Sequence, residues 1–232
     1  MSGPEQIPME LPLPVSASGE DFLTSPSNRP AWDAIHLWQQ WPDRRLILTG
    51  PEGAGKSHLV QIWAALTGAV TASAIGLTET RMVQLLEFEA VAIEDVDRVA
   101  TLPGPAKRQI EAILFHLFNL AGSGPVPLLM TGRGAPAHWR IETPDLASRV
   151  QAVAHVRISE PDDELLASIL KKLFTDRQMK VSDDVIEYLV RRIERSFASA
   201  ERIVARLDRA ALVSQRGITR PLAAAVLSQD ED

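Results

Sequence analysis

Residues 50–57 read Gly-Pro-Glu-Gly-Ala-Gly-Lys-Ser, the spacing Gly-x4-Gly-Lys-Ser. No other stretch constrains the chain so strongly. Glycines placed this way let a loop fold tightly, so that successive N–H groups converge on one anion. A helix that starts directly afterwards adds the positive end of its dipole. The context fits: Leu46-Ile47-Leu48-Thr49 is a short apolar run of strand character, and the stretch from Lys56 to Leu66 is helical in composition. Such a strand–loop–helix unit is a phosphate cradle for ATP or ADP with Mg²⁺. Its candidate nucleotide-binding residues are Gly50, Pro51, Glu52, Gly53, Ala54, Gly55, Lys56, Ser57 and His58. Lys56 is directed at the β- and γ-phosphates and the Ser57 hydroxyl at the metal.

Further strands follow. Val91-Ala92-Ile93 is a second apolar run, and Pro127-Leu128-Leu129-Met130-Thr131 a third, closed by Gly132; Val153 to Ile158 reads as another. Between them Ile110, Ile113, Leu114, Leu117, Phe118 and Ala121 recur at helical spacing, which predicts an amphipathic helix over 106–121. Short apolar strands alternating with helices imply an α/β unit with a mostly parallel sheet. The second strand runs into Glu94-Asp95. At the end of a strand beside a phosphate cradle, Glu94 is placed to hold the metal and Asp95 to orient the attacking water. A solvated acidic loop is the plain alternative, because Asp97 continues the run. Thr131 ends the third strand where a hydroxyl can face a terminal phosphate. In Pro144-Asp145-Leu146-Ala147-Ser148-Arg149-Val150 a short helix ends on Arg149, which could reach a neighbour's γ-phosphate and stabilise transferring charge.

After Pro161 strand character stops. Asp162 or Asp163 can cap a helix carrying Leu166, Ile169, Leu170 and Leu173; Ser182 can cap the next; Ile203, Val204, Leu207, Ala210 and Ala211 mark a third; and a last short helix follows Pro221. This gives three expected segments: an extended tail over 1–20, rich in proline; an α/β nucleotide-binding base over 21–160; and a helical lid over 161–232. From Pro161 onward 12 Lys and Arg face 13 Asp and Glu, and the whole chain carries a net charge of −6, so no electrostatic footprint for duplex DNA is expected. There is no cysteine, which excludes disulfides and thiolate zinc sites. No membrane-length apolar run or secretory signal is read, and a cytoplasmic location is expected.

The Gly50–Leu59 run, the Pro144–Arg149 segment and Leu207-Asp208-Arg209-Ala210 together resemble the DnaA family of AAA+ replication proteins, and within it the short Hda-type regulators. The resemblance covers nearly the whole chain. It implies an AAA+ P-loop NTPase fold, a Rossmann-like base with an all-helical lid. Arg149 becomes a trans-acting arginine finger, Thr131 a sensor of the γ-phosphate, and Asn28 in Ser27-Asn28-Arg29-Pro30 a residue beside the adenine. It also makes Gln6, Ile7, Met9 and Leu11 a short peptide that docks on the DNA polymerase sliding clamp, the β subunit. The implied partners are that clamp and DnaA, with self-association through the same face. The implied role is regulatory: clamp-dependent stimulation of ATP hydrolysis by DnaA, which ends initiation competence. The chain is too short for the initiator's DNA-binding helices, so no sequence-specific DNA contact is expected.

Two departures bear on catalysis. Glu94 stands where the family has aspartate, and the lid's sensor arginine falls on Ala198, with Arg195 and Arg202 one turn away. Weak hydrolysis by the chain itself is therefore expected. The alternatives are a self-contained ATPase of the helicase-loader or remodelling kind, and a passive clamp-binding adaptor.

Overall fold

The computed structural model describes residues 22–123, 126–214 and 217–228. The first part is a parallel five-stranded sheet with helices on both faces. Its strands are β1 (Arg45–Thr49), β2 (Val70–Ser73), β3 (Val91–Glu94), β4 (Leu128–Gly132) and β5 (His155–Arg157). Their spatial order is β2-β3-β4-β1-β5, and every pairing is parallel. Five helices accompany them: α1 (Arg29–His36), α2 (Lys56–Thr67), α3 (Glu79–Leu85), α4 (Gly104–Ser123) and α5 (Pro144–Ala152).

The pleat sorts the strand residues between two cores, since successive side chains point to opposite faces. Ile47, Val91, Ile93, Leu128 and Met130 pack with Ile110, Ile113, Leu114 and Leu117 of α4 and with Leu146 and Val150 of α5. Leu46, Leu48, Ala92 and Leu129 pack with Ala31 and Ile35 of α1 and Leu59, Val60 and Trp63 of α2. A near-continuous apolar run such as Leu46–Leu48 is what a strand covered on both faces requires. Full burial of one such side chain contributes about 1.5–3 kcal/mol.

Strand β2 is not among those read from the sequence. Val70-Thr71-Ala72-Ser73 lies at the sheet edge with alternating half-buried and exposed residues, so it lacks the apolar run that marks its neighbours.

The second part is all helical: α6 (Asp163–Asp176), α7 (Asp183–Val190), α8 (Phe197–Ser214) and α9 (Arg220–Ser228). Leu166, Leu170, Phe174, Leu189, Val204 and Leu207 belong to a core of its own. Asp162 caps α6 by accepting from the Leu165 N–H at 2.8 Å. The expected cap at Ser182 differs: its side chain makes no cap bond, and Asp183 and Asp184 supply the negative charge in the first turn of α7. The helical part meets the sheet at the glycine loop, where the Phe197 N–H donates to the Gly53 carbonyl at 2.8 Å. No described helix is long and apolar enough to cross a membrane.

Candidate functional site

The loop 50–55 joins the end of β1 to the start of α2, at the edge of the sheet where the strands finish. Two of its glycines are forced by geometry. Gly55, at φ +100°, turns the chain into α2, a conformation L residues rarely adopt. A side chain at Gly50 would place its Cβ 2.6 Å from the Ile158 carbonyl oxygen. Gly53 also lies at positive φ and abuts Ser196 and Ala198 of the helical part.

Lys56 is 8% exposed, and its ammonium is folded back into the loop, donating to the carbonyls of Gly50 and Pro51 at 2.8 Å each. Burial lowers its pKa below the ordinary value, against the opposing pull of Asp95 and Asp97 and with help from Arg133. The Ser57 hydroxyl donates to Glu94 Oε2 at 2.5 Å, so the two expected metal ligands touch. These are hard oxygen donors of the kind Mg²⁺ takes, one or two at a time alongside phosphate and water. Among the described residues no group of three or more carboxylate, histidine or cysteine side chains could hold a metal by itself. The donor set therefore suits a metal that arrives with a polyphosphate.

Asp95 begins the turn after β3 at φ +59°, and its N–H donates to the Thr131 hydroxyl at 3.1 Å. Its carboxylate accepts from Arg98 at 3.3 Å. Thr131 is fully buried, so its hydroxyl faces the Asp95 backbone rather than open cleft. There it holds the acidic turn. Asn28 is 1% exposed, its amide donates to the Leu23 carbonyl at 2.9 Å, and its oxygen accepts from the Ser25 N–H at 2.8 Å. That side chain closes the turn before α1. His58 lines the cleft and meets Phe22 edge-on.

Arginines that escaped the sequence reading also line the cleft, Arg98 and Arg133. Arg133, just past β4, lines the cleft with Lys56, Ser57 and Asp95 and pairs with Glu52 at 2.8 Å and Asp97 at 3.2 Å. A lone arginine in a loop gives no signal; the signal available was three acids, Glu52, Asp95 and Asp97, gathered around Lys56. Among the described residues, the helical part brings no arginine to this cleft. It presents Phe197, Ala198 and Glu201. Arg195 and Arg202 line a neighbouring hollow and pair with Asp163 and Glu194.

Arg149 stands apart from all of these. It is exposed on α5, its guanidinium 5.6 Å above the Phe115 ring of α4. It is near enough to Arg45 to help lower that residue's pKa, burial being the larger cause. Arg45 opens β1 and the glycine loop follows its other end, a span of about 13 Å at strand rise. The cleft and Arg149 thus occupy opposite edges of one sheet. The expected clamp residues Gln6, Ile7, Met9 and Leu11 lie outside the described residues.

The family model for the Hda lid domain matches residues 162–227. The chromosomal replication initiator DnaA of Thermus thermophilus is 26% identical over 216 residues, covering 84% of this chain and 49% of the initiator. Over most of its length the chain is thus similar to DnaA, and it has the AAA+ fold. It spans about half the length of the curated relatives it matches. Domain III of Thermotoga maritima DnaA has the same fold, with a TM-score of 0.78 at 21% identity over 94% of this chain and 98% of that domain. DnaA of Aquifex aeolicus, in its AMPPCP-bound structure, matches with a TM-score of 0.67 at 18% identity over 82% of this chain and 64% of that one. The lid match falls on α6–α9, the elements that form the second core and meet the glycine loop.

Proposed function

We propose that this protein is a nucleotide-binding regulator of replication initiation, which docks on the sliding clamp and stimulates ATP hydrolysis by DnaA in trans. ADP or ATP binds between the base, 21–160, and the lid, 161–232. Lys56 leaves the loop carbonyls for the β- and γ-phosphates, and the loop N–H groups and the start of α2 hold the rest of the charge. Ser57 and Glu94 would hold Mg²⁺, which would supply charge neutralisation to the phosphates. Asp95 orients water, and Thr131 holds Asp95 in its turn. The departures at Glu94 and Ala198 keep turnover in this chain low, so the nucleotide acts mainly as a structural ligand between base and lid.

The observation that carries the regulatory reading is Arg149: exposed, resting on Phe115, and at the far edge of the sheet from its own Lys56. A phosphate that it reaches belongs to another molecule. The DnaA relationship and the Hda-type lid support DnaA as that molecule. Gln6, Ile7, Met9 and Leu11 form the clamp-docking peptide. This part rests on their sequence, in which an extended, proline-rich segment loses little freedom on binding. Localisation in the cytoplasm and self-association through the Arg149 face belong to the same reading.

The test is ATP hydrolysis by DnaA with this protein, with and without clamp loaded on DNA. Arg149→Ala should abolish stimulation and preserve clamp binding; Gln6→Ala with Met9→Ala should do the reverse. A trans-acting arginine supplies about 10³-fold or more in comparable NTPases, so the expected loss is large. Turnover by this protein alone, indifferent to clamp and to Arg149→Ala, would replace this reading with that of an independent ATPase.

A further inference from the structure

One stripe of α4 underlies the arginine helix. Lys107, Glu111 and Phe115 stand four residues apart and so share a face. Glu111 is 1% and Lys107 6% exposed, with 4.0 Å between ammonium and carboxylate. Neither lines the nucleotide cleft. Buried charges are costly unless their bonds are met, and here a single segment meets them. The Lys107 ammonium donates to the Arg140 carbonyl and to Glu142 Oε1, both at 2.8 Å. Glu111 accepts from the Glu142 N–H at 2.9 Å, the Thr143 N–H at 2.8 Å and the Thr143 hydroxyl at 2.7 Å.

That segment is the entry to α5. Thr143 is its N-cap residue, yet its hydroxyl makes no cap bond within the helix and goes to Glu111 instead. Glu111 thereby places a carboxylate at the positive end of α5. Arg140 sits at φ +51°, a conformation a non-glycine residue keeps only where its surroundings over-determine it; its carbonyl is the one that Lys107 holds. Further along, Leu146 and Val150 are buried in the sheet core, and the Arg149 guanidinium lies over Phe115, one turn beyond Glu111 on α4.

We propose that Lys107 and Glu111 are positioning residues for Arg149: a buried ion pair locks the entry of α5 and so fixes where the arginine is presented. The proposal rests on the reading of Arg149 as a trans-acting finger. A displacement of about 1 Å at a reacting group costs on the order of 10²-fold in rate, which is what such a lock prevents.

Two measurements test it. In DnaA hydrolysis assays, Glu111→Gln should lower the maximal stimulated rate by roughly 10- to 100-fold. The half-saturating concentration and the chain's own ADP binding should stay unchanged. Thr143→Val, which loses one bond to Glu111, should give a smaller loss that Thr143→Ser restores. An unchanged maximal rate, or a loss confined to the half-saturating concentration, overturns the proposal.

The second measurement needs no partner. The chain has no cysteine, so Arg149→Cys carries a single nitroxide label. Its spectrum should be more restricted in the parent than with Glu111→Gln or Lys107→Met; identical spectra overturn the proposal. If the wild type fails to stimulate DnaA, the finger reading falls, while the label spectra still decide whether the pair fixes α5.

Discussion

Replacing Lys56 by methionine separates what the buried ammonium does for ligand from what it costs the fold. In the free protein the charge is desolvated, and among the described residues its hydrogen-bond acceptors are the Gly50 and Pro51 carbonyls. Its pKa is lowered, chiefly by burial, so the folded state binds that proton less tightly than the unfolded chain does. The sign follows by linkage: the ammonium lowers stability at neutral pH, and this cost disappears as pH rises from the folded pKa toward the ordinary value near 10.5. Methionine removes the cost and keeps most of the buried stem. It also withdraws a donor from two carbonyls, of which Pro51 still accepts from the Ala54 N–H. One carbonyl losing its donor costs about 1–3 kcal/mol, of the same order as the desolvation that is relieved. The free variant should therefore melt within about 4 °C of wild type, taking about 2–4 °C per kcal/mol for a chain of this size. Saturating nucleotide is different. At 1,000 times Kd it stabilises by about 4.1 kcal/mol, or about 8–16 °C, and Lys56→Met should lose nearly all of that. The assay is thermal unfolding with and without Mg-ADP or Mg-ATP, repeated from neutral pH to about pH 10.5, where the variant's relative advantage should shrink. A variant that keeps the full nucleotide shift, or one that melts more than about 10 °C lower without ligand, would refute the reasoning.

Two further outcomes are expected. Gly132→Ala should destabilise by about 1–3 kcal/mol, because its Cβ would lie 2.5 Å from Trp139 Cζ2 while that indole is held by the Arg133 and Gly134 carbonyls; denaturant melts would show a lowered midpoint, and an unchanged one would contradict the contact. Arg133→Ala should leave stability within about 1 kcal/mol, since its ion pairs are half exposed, yet weaken ATP more than ADP by about tenfold; titration with both nucleotides checks this, and equal effects would remove Arg133 from the terminal phosphate.

Much of this molecule is legible in the chain because its signals are local. The glycine loop, the apolar runs of β1, β3 and β4 and the helical spacing of α4 each lie within a short stretch of sequence. Edge strand β2 escaped because half-burial leaves it without an apolar run. The site divides in the same way. Lys56 and Ser57 were fixed by spacing, whereas Arg133 acquires meaning only when folding sets it against Glu52 and Asp97. The backbone bonds of Thr131 and Asn28 were not legible either, since their partners are set by the fold around them. Lys107 and Glu111 are the most instructive pair. As i,i+4 opposite charges on a helix they carry no signal of burial, and only the returning segment 140–143 buries them.

The short stretch from Thr131 to Thr143 ties the two edges of the sheet together. At the cleft, Thr131 holds the Asp95 turn and Arg133 pairs with Glu52 and Asp97. Trp139, 2% exposed, gives its indole N–H to the Arg133 carbonyl and packs under Gly132. One residue later Lys107 holds Arg140, and Glu111 takes Thr143 at the start of the arginine helix. The stretch is thus bonded at its cleft end, its middle and its far end. A phosphate that draws Arg133 away from Glu52 acts on one end of a segment whose other end is fixed. It can shift the placement of Arg149 only by as much as it binds two arrangements of that segment differently. A Lys107–Glu111 lock of the kind proposed keeps that difference small, because the far end of the segment is held to α4 whatever happens at Arg133.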